Sequence, residues 1–313
     1  MKTMKHIQSK IILAAAGIAF GILAFATAGC SKSQADVPAA EDPSLMHFEM
    51  QFPSGSVTRA TATDFEAGDA IGVYVTDYSD GNALPVQISG NRANNVSLTF
   101  DGSTWTPSKK LYWPETEGEK VDVVAYYPYM NPTTVDEQPF SVALDQTTAG
   151  EDGQPGGYEA SDFLWAKVSG AVQNGSEPVT MKFAHRCSKL TIKLIKGADY
   201  EGDLPDNAQM YIHNTVTQGT IDFNSGFITK YLFGEPETIH ARKVDDATYE
   251  AVIIPQQVTT RRPFVEMIVG KVSYLVEDTF NFKPGLHYTY SLTLNSSTTQ
   301  IGVSIGAGTG TWD

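Results

Sequence analysis

The chain has 313 residues, of which 41% are hydrophobic, and its 22 basic and 36 acidic residues give a formal net charge of −14. This charge argues against a nucleic-acid-binding protein, because phosphate backbones repel an acidic surface. Only two cysteines are present, so core packing must stabilise the fold, and a chain of this length is able to bury a sufficient core.

The N-terminal residues predict an exported lipoprotein. Three lysines precede a long apolar run that ends in small residues directly before Cys30. This pattern is typical of a signal peptide over residues 1–29, with Cys30 acylated as the new N-terminus. A plain signal peptide and an uncleaved anchor helix are the alternatives.

The next segment, residues 30–45, is rich in Ser, Ala, Pro and Asp and predicts a flexible tether. Removal of the 29 leader residues leaves 284 residues, with 19 basic and 36 acidic side chains and a formal charge of −17. At roughly 150 residues per domain this length suggests two domains. The charge would resist an anionic membrane surface, so we expect membrane contact only through the lipid.

A strand-like segment follows the tether. Met46, Phe48, Met50 and Phe52 alternate with polar residues, which is the period of a half-buried strand. The polar stretch "PSGSVTRATAT" comes next and carries a single basic residue, Arg59. One trypsin-like cut there would detach the strand, although an ordinary exposed arginine in an ordinary loop is the simpler interpretation of composition alone. A sandwich without this strand would expose an apolar groove that attracts another strand.

Strand patterns dominate the remainder of the chain and predict an all-β fold with frequent turns. Residues 121–127 are apolar on both faces, which predicts a central strand that ends at Pro128. A domain boundary is expected near His185, which divides the chain into residues 46–185 and 186–313. The clearest alternating apolar positions are Val96, Leu98 and Phe100, then Leu190, Ile192 and Leu194, and then Leu286, Tyr288, Tyr290, Leu292 and Leu294.

Catalytic signatures are missing from the sequence, so we predict no enzyme, no metal and no cofactor. The six histidines are scattered singly, and no zincin motif is present. Cys187 lies in a strand-like stretch and is expected to be buried and inert. Four aromatic residues could form a sugar-binding platform. The alternative is that they pack in the core or line a sheet face, and we favour the core: Tyr112, Trp113, Tyr126 and Tyr127.

The last apolar segment has an alternation of its own. Ile301, Val303 and Ile305 alternate with small residues, the pattern that a groove-filling donor strand would need. A final strand of the chain's own sheet is an equal alternative.

Several stretches taken together resemble the fimbrillins, the type V pilins of Gram-negative anaerobes. They cover most of the chain after the leader in the expected order. They are the leader that ends at Cys30, "VTRAT" before "FEAGDAIGVYV", "LYWPETEGEKVDVVAYYPY", "DFLWAKVSG" before "VTMKFAHRCSKLTIKL", and "FKPGLHYTYSLTLN" ahead of Trp312.

The resemblance implies two tandem transthyretin-like β-sandwich domains and export as a lipidated outer-membrane precursor. It implies that an arginine-specific protease cuts between Arg59 and Ala60 and releases the first strand with its lipid. A strand of a neighbouring fimbrial subunit then fills the groove, and a cell-surface fimbrium grows. The alternative is a surface lipoprotein that does not polymerise and binds glycans or other host or bacterial surface ligands. A hydrolase with a spatially assembled site has the least support.

Overall fold

The computed structural model describes residues 42–53, 64–151, 154–296 and 301–312. Strands dominate these residues and only one short helix is present among them, so the predicted all-β class is confirmed. The first ten strands are β1 (Phe48–Gln51), β2 (Ala70–Ser79), β3 (Asn82–Ala83), β4 (Ala93–Phe100), β5 (Trp105–Pro107), β6 (Val121–Tyr127), β7 (Gln138–Ser141), β8 (Leu164–Ala171), β9 (Val179–Lys182) and β10 (Ala184–His185). A short helix, α1 (Gly157–Ser161), precedes β8.

The remaining strands lie beyond residue 185. They are β11 (Ser188–Lys196), β12 (Gln209–Thr215), β13 (Gln218–Asp222), β14 (Phe227–Lys230), β15 (Glu237–His240), β16 (Arg242–Asp245), β17 (Thr248–Ile253), β18 (Gln256–Val269), β19 (Val272–Phe282), β20 (Leu286–Ser296) and β21 (Ile301–Thr311).

A seven-stranded antiparallel sheet organises the first half, in the order β10-β8-β6-β2-β4-β5, with β3 folded back onto β2. Strand β6 is buried along its whole length and ends before Pro128, so the predicted central strand is confirmed. Because side chains alternate between faces, Val73 and Val123 enter a smaller apolar core, while Tyr74 and Tyr126 enter a larger one. This explains why β6 is apolar on both faces.

The smaller core lies between this sheet and the two-stranded sheet of β1 and β9. We call it the first core. The second half has a five-stranded sheet, β16-β17-β11-β20-β21, and a four-stranded sheet, β15-β12-β18-β19. These two sheets face each other, since Phe264 of β18 lies 5.9 Å from Tyr290 of β20 between ring centroids. The two layered regions are the arrangement that tandem sandwiches require.

The two halves also share structure. Strand β7 pairs with β13 in a three-stranded sheet, β14-β13-β7, which crosses the expected boundary at residue 185. Phe223, just after β13, packs at 4.5 Å from Tyr126 between ring centroids. The division into residues 46–185 and 186–313 stays a prediction.

Candidate functional site

The segment from Ser44 to Pro53, which we call the first-strand segment, lies between two backbone edges. On one side, the Met46 N–H donates to the Leu111 carbonyl at 2.9 Å, and the Trp113 N–H donates to the Ser44 carbonyl at 2.9 Å. On the other side, β1 runs parallel to β9, with Phe48 opposite Val179. The segment therefore fills a slot and satisfies hydrogen-bonding groups on both of its walls.

The predicted alternation of this segment is confirmed. Met46 is buried, and Phe48, Met50 and Phe52 are half-buried against the first core, while Glu49 and Gln51 are exposed. Full burial of a large apolar side chain contributes about 1.5–3 kcal/mol, so each of the three half-buried side chains contributes less than the buried Met46.

Loss of the segment would uncover an apolar floor and a row of unpaired backbone groups. The described floor residues are all buried at present, and the most prominent are Phe65, Trp113, Met181 and Phe183. The amides of Val179 and Phe183 donate to segment carbonyls at 2.8 and 3.0 Å and would lose their partners. Both losses are costly in water-excluded surroundings, so an emptied slot favours a replacement strand.

The C-terminal end of the segment contacts a buried histidine. The Phe52 ring meets Phe65 edge-on at 5.1 Å and His185 edge-on at 5.8 Å between centroids. His185 Nδ1 lies 2.9 Å from a carboxylate oxygen of Asp162. Trp312 stacks on the same imidazole at 3.8 Å with an interplanar angle of 9°.

Strand β21 follows β20 and pairs with it antiparallel along its whole length. Leu292 lies opposite Ile305, and Leu294 lies opposite Val303. The strand occupies the edge of the five-stranded sheet, as the own-sheet alternative expects. The role of Ile301, Val303 and Ile305 as a donor strand stays a prediction.

Three predicted processing residues, Cys30, Arg59 and Ala60, lie outside the described residues. Lipidation and cleavage at these positions stay predictions. The described residues nearest to Arg59 are Pro53 on one side and Asp64 on the other.

The thiol of Cys187 is fully buried, and burial raises its pKa far above the ordinary value. The expected burial of this cysteine is confirmed, and a thiol held neutral in this way is a poor nucleophile. Among the aromatic residues, the core interpretation is confirmed for Trp113, Tyr126 and Tyr127 and is wrong for Tyr112, which is 43% exposed. Tyr112 is exposed because its neighbours Leu111 and Trp113 turn inward on an extended segment.

An exposed aromatic loop was missed by sequence reasoning. Tyr231, Leu232 and Phe233 follow β14 and are 51%, 75% and 78% exposed, respectively. Three large apolar side chains in succession at a loop tip are unusual for a solvated surface. The run "KYLFGEP" lacks strand alternation and ends in turn residues, which is the signal that was available.

His213 has a hydrogen-bond pattern that is reminiscent of a catalytic relay. Its two ring nitrogens lie 2.9 Å from Thr238 Oγ1 and 2.9 Å from a Glu266 carboxylate oxygen. The three residues stand on neighbouring strands β15, β12 and β18, and Ser273 of β19 donates to the same carboxylate. Cross-strand polar rows of this kind ordinarily stabilise sheets.

The described ranges contain neither a metal-binding cluster nor a membrane-spanning helix. No group of three or more His, Cys, Asp or Glu side chains has a geometry that could hold a metal ion there. In the same part of the chain, no helix combines the length and apolar character needed to cross a bilayer.

Curated relatives with detectable sequence similarity come from Bacteroides. A protein of Bacteroides uniformis named as a candidate fimbrium subunit, Fim1C, is 26% identical over 288 residues, which cover 87% of this chain and 88% of that protein. A Bacteroides ovatus protein named as a candidate fimbrium tip subunit is 26% identical over 191 residues, 55% of this chain. The chain spans 33% of that tip protein.

Solved structures give the same fold. A candidate cell adhesion protein from Bacteroides ovatus superposes with a TM-score of 0.64 at 17% identity, covering 86% of this chain and 98% of that one. A second, from Bacteroides uniformis, gives 0.61 at 20% identity, covering 80% and 93%. A family model described as fimbrillin-like matches residues 58–307. The chain therefore belongs to the fimbrillin-like family.

Proposed function

We propose that this chain is a structural and adhesive subunit of a cell-surface fimbrium, made as an outer-membrane lipoprotein precursor with its lipid on Cys30. An arginine-specific protease cuts between Arg59 and Ala60 and removes the first-strand segment with the lipid. A strand from another fimbrial subunit then occupies the slot. Ile301, Val303 and Ile305 of β21 form the strand that this subunit passes onward.

The observation that carries this proposal is the construction of the first-strand segment. It satisfies two backbone edges and fills the first core with four apolar side chains, yet it is joined to β2 through the stretch that contains Arg59. Apart from Arg59, the sequence has no lysine or arginine between Lys32 and Arg92. One protease specific for basic residues therefore has one site at which to detach the segment from the sandwich.

The same construction keeps the precursor monomeric. While its own segment fills the slot, neither the apolar floor nor the β9 backbone is available to another chain. After the cut, the first-strand segment is no longer covalently attached to the sandwich. It then competes for the slot with strands from other copies without the advantage of being in the same chain. The family membership and the names of the fimbrium-subunit relatives support this assembly role.

The test is cleavage of the purified precursor, followed by mass spectrometry and size analysis. In the wild-type chain we expect an arginine-specific protease to produce a new N-terminus at Ala60 and a core that forms oligomers. Arg59→Ala should abolish that N-terminus and leave the protein monomeric.

Arg59→Lys is the matched control, because it keeps the positive charge. It should resist the arginine-specific protease but oligomerise after trypsin, which accepts lysine. If the Arg59→Ala protein assembles normally, or if the cut wild-type core stays monomeric, strand removal is not the trigger of assembly.

A further inference from the structure

Two distant parts of the chain meet at one buried side chain. Phe52, at the end of the first-strand segment, and Trp312, directly after β21, both contact the imidazole of His185. The two aromatic residues are separated by most of the sequence, and they directly follow strands of two different sheets, β1 and β21. We call the three residues the His185 clasp.

His185 is a fixed point in this arrangement. It is 4% exposed, pairs with Leu164 in the β10–β8 ladder, and is tied by its ring nitrogen to Asp162. The next backbone amide, that of Arg186, donates to the Phe163 carbonyl at 2.9 Å. The ring position is therefore determined by backbone pairing as well as by the Asp162 carboxylate.

Trp312 is an anchor of the last strand. Its backbone N–H donates to the Gly285 carbonyl at 2.9 Å, and its half-buried side chain stacks on His185. The residues that precede it, 308–311, are exposed. The stacked indole therefore adds a side-chain contact at the end of β21 to the backbone ladder that joins this strand to β20.

We propose that the His185 clasp couples the first strand to the last strand, so that departure of the first-strand segment loosens β21. While Phe52 packs against the imidazole, the Phe52, His185 and Trp312 rings support one another. When Phe52 leaves, water reaches the imidazole and the Trp312 stack loses its neighbour. This inference rests on the proposed function. The coupling would free β21, the proposed donor strand, chiefly after the first-strand segment has left its slot.

Hydrogen–deuterium exchange of the β21 amides in the uncut chain tests the coupling. Phe52→Ala should speed exchange across Gly302–Thr311 by roughly fivefold, the lower end of ordinary coupling between sites. Phe48→Ala is the matched control, since it removes a half-buried phenylalanine from the same strand without touching His185. It should change the exchange of β21 less than about twofold, within the additivity expected of distant, independent sites.

Three further variants distinguish the clasp from a general loosening of the fold. Phe52→Leu keeps apolar bulk in the slot and removes the ring contact, so it should reproduce the acceleration without unfolding the segment. Trp312→Ala should accelerate β21 exchange at least as much, and Phe52→Ala combined with Trp312→Ala should add little to Trp312→Ala alone. Equal effects of Phe48→Ala and Phe52→Ala, or full additivity of the double variant, would overturn the clasp.

These outcomes are separable from those of the proposed function. The exchange experiment is made before any cleavage and does not depend on assembly. Cleaved protein that polymerises while Phe52→Ala leaves β21 protected would refute the clasp and retain strand exchange. If Phe52→Ala accelerates exchange in β21 but the cleaved protein never polymerises, the clasp is supported and strand exchange is refuted.

Discussion

At the scale of single residues, Glu250 of β17 joins three neighbouring strands of the five-stranded sheet. Its carboxylate lies 2.7 Å from Lys189 Nζ of β11 and 3.0 Å from Arg242 Nη2 of β16. Arg242 also pairs with Glu159 at 2.7 Å and covers the Tyr158 ring at 3.6 Å from its centroid. Burial raises the pKa of Glu250, but the two cationic partners outweigh burial and hold it below the usual 4.5.

This direction of shift predicts an acid-dependent loss of stability. A depressed pKa means that the carboxylate stabilises the fold fully above the unfolded-state pKa, and that this contribution is lost as the pH falls through the folded-state pKa. Glu250→Gln should lower the free energy of unfolding by about 1–3 kcal/mol at pH 7, and the deficit should shrink towards pH 3. Urea denaturation at both pH values measures it.

The matched control for this prediction is Glu277→Gln on the exposed face of β19. Glu277 faces Arg261 at 3.5 Å, and both side chains are more than half exposed. An exposed pair of this kind contributes less than about 1 kcal/mol. A pH-independent deficit for Glu250→Gln, or an equal effect of Glu277→Gln, would contradict the role assigned to Glu250.

At the scale of elements, alternation predicted the strands but not their partners. The apolar faces of β4, β11 and β20 were visible from Val96, Leu190 and Tyr290, because period-two burial depends only on neighbours in sequence. The parallel pairing of β1 with β9 and of β11 with β20 was not visible. Parallel partners need long crossovers, so their choice depends on residues far away in the chain.

The first-strand segment supports a prediction of its own. A synthetic peptide of residues 44–53, added in excess during cleavage of the precursor, should fill the emptied slot and suppress oligomers in a concentration-dependent way. Its four apolar side chains match the floor formed by Trp113 and Met181. Size-exclusion chromatography of the cut protein provides the measurement.

The control peptide replaces the apolar face of the segment with serine at positions 46, 48, 50 and 52. It keeps every backbone group that the walls of the slot use, but it loses the apolar burial that makes the exchange favourable. If this peptide suppresses oligomers as well as the native sequence does, then side-chain burial in the first core does not select the incoming strand.

At the scale of the whole molecule, the sequence predicted two sandwiches but not how they are joined. Frequent turns and alternating runs sufficed for the all-β class, and the candidate site was predicted as far as the alternation of Met46 to Phe52 extends. The contact of Phe52 and Trp312 with His185 was not predicted, because no local pattern relates residues so far apart. Nor was the β7–β13 pairing, which connects Phe140 with Gly219 across the expected boundary.

Gln146 gives the clearest test of this connection between the halves. Its fully buried side-chain amide donates to the Val252 carbonyl at 2.8 Å, and its carbonyl oxygen accepts the Val252 N–H at 2.8 Å. Gln146→Ala leaves both backbone groups without a partner, so we expect a loss of about 1–3 kcal/mol. Because the larger core contains Tyr126 of β6 as well as Leu190 of β11, hydrogen-exchange protection should fall together in both strands, whereas exposed Gln257→Ala should leave both unchanged. A fall in protection confined to β11 would mean that the two sandwiches unfold independently. The β7–β13 pairing would then join them without making their unfolding cooperative.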